Sequence, residues 1–76
     1  MSKEYVICTR ESIIGIGYHF LRAYNFEIYN IDNNILFFKY KDNYVHQTIM
    51  HKGKYGSWFR FRNTTYYVVN DKEVSK

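Results

Sequence analysis

Glu11–Asn25, ESIIGIGYHFLRAYN, is the stretch whose reading decides the fold. At a spacing of three and four, Ile13, Ile16, Gly17, Phe20 and Tyr24 form one stripe of a helix. Thr9 or Ser12 is placed to cap its start, and Asn25 to end it in the left-handed conformation. Gly15 and Gly17 oppose this, each weakening a helix by about 1 kcal/mol relative to Ala. Close approach of the helix to a sheet is the expected compensation.

On either side the pattern is of strands. Lys3–Thr9 (KEYVICT) is short and β-rich. After Asn25 come Phe26–Ile31, Ile35–Tyr40, Tyr44–His51, Ser57–Arg62 and Thr65–Val69. Asp32-Asn33-Asn34, Lys41-Asp42-Asn43 and Asn63-Thr64 connect them tightly, since Asn and Asp tolerate positive φ. Lys52–Gly56 (KGKYG) reads as a five-residue loop, and Asn70–Lys76 as a frayed polar tail. The expected fold is α+β: one domain over residues 1–76, with one helix packed on a mainly antiparallel, meander-type sheet of four to five strands, in the order β-α-β-β-β-β.

The turns fix which residues face one another. A two-residue turn at Asp42-Asn43 pairs Tyr40 with Val45, Phe38 with Gln47 and Leu36 with Ile49, a mostly apolar face assigned to the core. Phe59 and Phe61 join it, so Trp58, Arg60 and Arg62 turn outward. The expected outer face has three rows: Lys39–His46–Arg62, Phe37–Thr48–Arg60–Tyr67 and Ile35–Met50–Trp58–Val69. A basic edge grades into an aromatic and aliphatic patch, and Phe37, Lys39, His46, Met50, Trp58, Arg60, Arg62 and Tyr67 are its candidate partner-binding residues.

Size and composition support such a surface. A chain of 76 residues buries only about 60–65% of the surface it exposes when unfolded. It carries nine Tyr, six Phe and one Trp, too many rings for so thin a core, so some aromatic surface stays exposed. Net charge is +4, from eleven Lys/Arg against seven Asp/Glu, and mildly favours an anionic partner. Ile, Asn, Lys, Tyr and Phe are also the residues of A/T-rich codons, so only their placement counts as evidence.

No constellation of catalytic or metal-binding residues is apparent. His46 and His51 are an odd number apart on one expected strand, which puts them on opposite faces. HxxxH and CxxC patterns do not occur, so neither metal nor cofactor is expected. Gly15-Ile16-Gly17 lacks the third glycine and the Lys-Ser/Thr of phosphate-binding loops. A lone Cys8 in an apolar strand reads as a small core residue and points to a reducing compartment. Met1–Tyr5 leads into only a short apolar run, and Ser12–Leu21 is about half a bilayer span, so a cytoplasmic protein without leader or membrane anchor is expected.

Two functions fit. The first is a non-catalytic binding protein acting by stoichiometric contact with a protein partner of acidic character, in the manner of inhibitors or modulators carried by phages and mobile elements. The second is a single-stranded nucleic-acid-binding domain that uses the basic aromatic face as a stacking platform. The modest net charge, the alternation of basic and acidic residues along much of the chain and the aliphatic residues expected on the patch favour the first. Pairing of exposed sheet edges or faces into a homodimer is a further arrangement.

Overall fold

The computed structural model describes residues 4–15 and 17–74; Lys3, Ile16, Ser75 and Lys76, which figure in the expected first strand, helical stripe and tail, lie outside the described residues. The expected helix is absent from it. In chain order the elements among the described residues are β1 (Tyr5–Ile13), β2 (Gly17–Arg22), β3 (Phe26–Asp32), β4 (Ile35–Tyr40), β5 (His46–Ile49), β6 (His51–Gly53), β7 (Gly56–Phe61), β8 (Thr64–Asn70) and a 3-10 turn, Asp71–Glu73. The fold is therefore all-β and not α+β.

The cause lies in the glycines. Gly15 sits at φ 81° and Gly17 at φ 118°, backbone conformations that residues with a Cβ rarely adopt. They reverse the chain, so Ile13 pairs with Gly17, Ser12 with Tyr18 and Arg10 with Phe20. The β-branched and aromatic residues around them favour a pleated surface over a helix. The stripe at three and four dissolves into alternation along two strands.

Two antiparallel sheets result, one of five strands in the order β2-β1-β8-β7-β6 and one of three in the order β3-β4-β5. Each strand pairs with its successor except between β2 and β3 and between β5 and β6, where the chain crosses from one sheet to the other. Met50 makes the second crossing, its amide donating to the Asn34 carbonyl at 2.7 Å. The expected strand Tyr44–His51 is thus divided between the sheets. The shortest molecular extent, 22 Å, suits two sheets stacked about 10 Å apart with side chains on both outer faces.

The sheets close on Ile7, Val68 and Phe59 from the larger and Leu36 and Phe38 from the smaller, all buried. Phe26 is the aromatic hub, its ring centroid 4.7 Å from those of Tyr40 and Tyr66, 5.4 Å from Phe38 and 5.8 Å from Phe61. Such offset and edge contacts add about 0.5–1.5 kcal/mol per pair beyond burial. They also account for many of the surplus rings.

Three turns differ from expectation. Lys41, at φ 62°, begins a wider β4–β5 connection in which the Asp42 carboxylate accepts from the Tyr44 amide. Phe38 therefore pairs with His46 and Leu36 with Thr48, one residue from the expected register. The β7–β8 turn is Arg62-Asn63, both at positive φ, and Trp58 lies opposite Tyr67. Lys52–Gly56 is no loop: Gly53 pairs with Gly56 across a two-residue turn.

Asn70–Val74, expected to fray, is held against the sheet. Asn70 caps the 3-10 turn by accepting from the Lys72 amide, Arg22 pairs with Asp71, and Val74 bridges Phe20 in parallel. This segment covers part of the free edge of β2, which would otherwise offer unpaired backbone groups.

Candidate functional site

Facing residues of antiparallel strands share a face, and one row crosses the larger sheet completely. His51 lies opposite Trp58, Trp58 opposite Tyr67, Tyr67 opposite Cys8, and Cys8 opposite Arg22. This is the face turned away from the inter-sheet core. Phe59 points the other way and is fully buried, which is the parity the sequence implies for β7.

The outer face has a floor of its own. Cys8, Phe20 and Val69 are buried there, with Val6, Tyr55, Tyr67 and Val74 packed against them. Tyr55, in the β6–β7 turn, reaches over this floor to set its ring edge-on to Tyr18 of β2 at 4.9 Å. Arg10 lies at their junction, its guanidinium carbon 3.6 Å from the Tyr55 centroid and 4.2 Å from that of Tyr18. The sheet is thereby curled, and a cation is fixed at the meeting of two rings.

On β7 the indole of Trp58 is half-buried and tilts against His51 with centroids 4.6 Å apart. Gly53 makes room for it, since a Cβ there would lie 2.9 Å from the indole Nε1. Arg60 follows two residues along the same strand and is exposed. Lys54, beside Tyr55 in the turn, adds a third cation.

Negative charge is mostly placed elsewhere. Glu27, Asp32 and Asp42 belong to the smaller sheet and its connections. Glu11 turns to the opposite face, 3.2 Å from His19. Asp71 is engaged by Arg22, while Glu4 and Glu73 flank the sheet beyond the ends of β1 and β8. Arg10 and Lys54 thus lie near aromatic rings and Arg60 two residues from Trp58 on β7, with no carboxylate paired to any of the three among the described residues.

The eight residues expected on one patch are divided. Trp58, Arg60 and Tyr67 share the outer face of the larger sheet. Phe37 and Lys39 lie on the outer face of the smaller one, across the sandwich, where Lys39 approaches the Tyr29 ring at 5.5 Å. His46, expected outward, turns inward and stacks on Phe38 with centroids 5.3 Å apart. Its Nε2 is shut off from solvent, 3.5 Å from Asp42 Oδ1 and without a hydrogen bond. Met50 packs against the core. Arg62 stands at the β7–β8 turn, above the Tyr40 and Phe61 rings.

Arg10, Tyr18, His51, Lys54 and Tyr55 were not expected on the face. An alternating reading of β1 and β2 would have found the first two, and Gly-Lys-Tyr-Gly, read as a hairpin turn, the last two. Cys8 is fully buried, and burial pushes its thiol up to about 11; the Arg22 guanidinium opposes the shift and the Asp71 carboxylate adds to it. A thiol so held is a poor nucleophile at neutral pH.

Other features of the surface are less specific. An open groove of about 540 Å³ between the sheets is lined by Tyr5, Ile28, Ile31, Met50 and Lys52 among others. The outer face of the smaller sheet exposes Ile49 and Tyr29. No helix among the described residues is long and apolar enough to cross a membrane. No family model, curated protein or solved structure matches the chain.

Proposed function

We propose that this chain is a small non-catalytic binding protein that acts by stoichiometric contact with a macromolecular partner, through the outer face of its five-stranded sheet. The observation that carries the proposal is the assembly on one face of Trp58, Tyr55, Tyr18 and Tyr67 with Arg10, Lys54 and Arg60. Trp, Tyr and Arg are the residue types that dominate binding energy at interfaces. The platform is also held in place: Arg10 locks the Tyr55 turn to β2, and the indole of Trp58 rests over Gly53. A rigid platform loses little entropy on binding.

An inhibitor or modulator of the phage or mobile-element kind is in keeping with the small size and with a composition rich in the residues of A/T-rich codons. A reducing cytoplasm is in keeping with the free, buried Cys8. The test is capture from a host lysate by the wild-type chain and by a Trp58→Ala/Arg60→Glu variant with a preserved melting transition. The proposal expects a macromolecule retained by the former and lost by the latter. Equal capture by both would move the contact surface elsewhere.

A further inference from the structure

Resting on that contact face, we infer that its partner is a single-stranded nucleic acid, with bases stacking on the aromatic row and phosphates meeting Arg10, Lys54 and Arg60. In the sequence, the aliphatic residues expected among the aromatic and basic ones are one of the reasons for favouring a protein partner. In the structure those aliphatics are elsewhere. Ile35 belongs to the smaller sheet, Met50 packs on the inter-sheet core, and Val69 is buried in the floor. Around Trp58 what stays accessible is chiefly π surface and positive charge, with Val6 and Val74 partly exposed at the far side of the floor.

The spacing suits a flexible strand of bases. Trp58 and Tyr67 lie on neighbouring strands, which run about 4.8 Å apart, and the tilted His51 ring extends the row on the other side of Trp58. Every base has a face to stack, so such a platform is tolerant of sequence. Arg60 and the Arg10–Tyr55 junction flank the row, where a backbone following it would pass. Bases within a duplex are already stacked on one another, so the platform selects unpaired strands.

The test is a titration of the full chain with short mixed-sequence single-stranded DNA, single-stranded RNA, duplex DNA and polyglutamate. Trp58, the only tryptophan, reports directly. Variants are followed by anisotropy of a labelled strand. The expected result is quenching of Trp58 by both single strands, at least about tenfold tighter than by duplex, with dissociation constants in the range of about 10⁻⁴ to 10⁻⁶ M or tighter. The logarithm of the binding constant should fall with that of salt at a slope of about −2, from three contacts at about −0.7 each. Trp58→Ala should weaken binding about 10- to 100-fold, and Arg60→Ala should flatten the slope by about 0.7. Gly53→Ala, which displaces the indole without removing it, should weaken binding in the same direction.

Binding unaffected by all three variants would overturn the inference. So would quenching by polyglutamate without response to either single strand, although the contact face would then stand with a protein partner. Silence of Trp58 toward every polyanion, together with lysate capture insensitive to the face variants, would overturn both the inference and the contact face.

Discussion

The guanidinium of Arg10 lies 3.6 Å from the ring centroid of Tyr55, joining β1 to a turn two strands away across the outer face of the larger sheet. β7 itself is held by its pairing with β8 and by buried Phe59, but without Arg10 the β6–β7 turn has only the Tyr55–Tyr18 edge contact and its share of the floor to tie it to β1 and β2. Replacing Arg10 with Gln should therefore cost about 1–2 kcal/mol, from two cation–π contacts of about 0.5–1 kcal/mol each at an exposed site. Urea unfolding measures the loss. Amide exchange at Gly53–Gly56 should rise more than exchange in β4, because the variant frees a local unit first.

Gly17 separates a hairpin from a helix by the sign of one effect. In a helix interior, Gly17→Ala stabilises by about 1 kcal/mol. At φ 118° the added Cβ is strained, and the same change should destabilise by about 1–3 kcal/mol. A thermal melt of the variant beside the wild type decides between them.

The parity of β7 has an energetic signature. Phe59 is fully buried between the sheets, so Phe59→Ala should cost about 3–5 kcal/mol, a large share of the about 4–11 kcal/mol that a domain of this size has in total. Trp58→Leu, on the half-buried outer face, should cost less than half of that. Denaturant midpoints of the two variants give the ratio.

Cys8 sets a limit on stability at high pH. Its thiol ionises at 9.0 when free of the fold and at about 11 when buried. Between these values the unfolded chain gives up its proton while the native chain keeps it, so stability falls as pH rises through this window and is full below it. The loss attributable to Cys8 is on the order of 2–3 kcal/mol. The difference in pH slope between wild type and Cys8→Ala isolates the thiol.

Phe26–Ile31, Ile35–Tyr40, Ser57–Arg62 and Thr65–Val69 were legible as strands because their signals are local, whereas Tyr44–His51 was read as one strand where the chain makes two, and the β6–β7 hairpin was read as a loop. Asn33 and Asn34 both take positive φ, as their residue types suggest, and alternation around Phe59 gives the correct inward side. The helix was not legible as a hairpin, because Ile13, Ile16, Phe20 and Tyr24 satisfy a helical spacing by coincidence; the two glycines and the β-branched residues carried the contrary signal. Register failed where turn length is undetermined by residue type. One extra residue between Tyr40 and His46 turned His46 inward and separated it from Lys39. The candidate site was legible only along single strands: Trp58 and Arg60 stay together because they are two apart on β7, whereas rows drawn across β4, β5 and β7 assumed one continuous sheet where the chain crosses to a second at Met50.

The most direct test of the contact face is an NMR titration of the isotope-labelled chain with its captured partner, or with a single-stranded oligonucleotide. The account predicts shifts concentrated at His51, Tyr55, Trp58, Arg60 and Tyr67 and at the neighbouring Arg10 and Tyr18. Shifts centred instead on Ile35, Phe37, Lys39 and Ile49, across the sandwich, would contradict it.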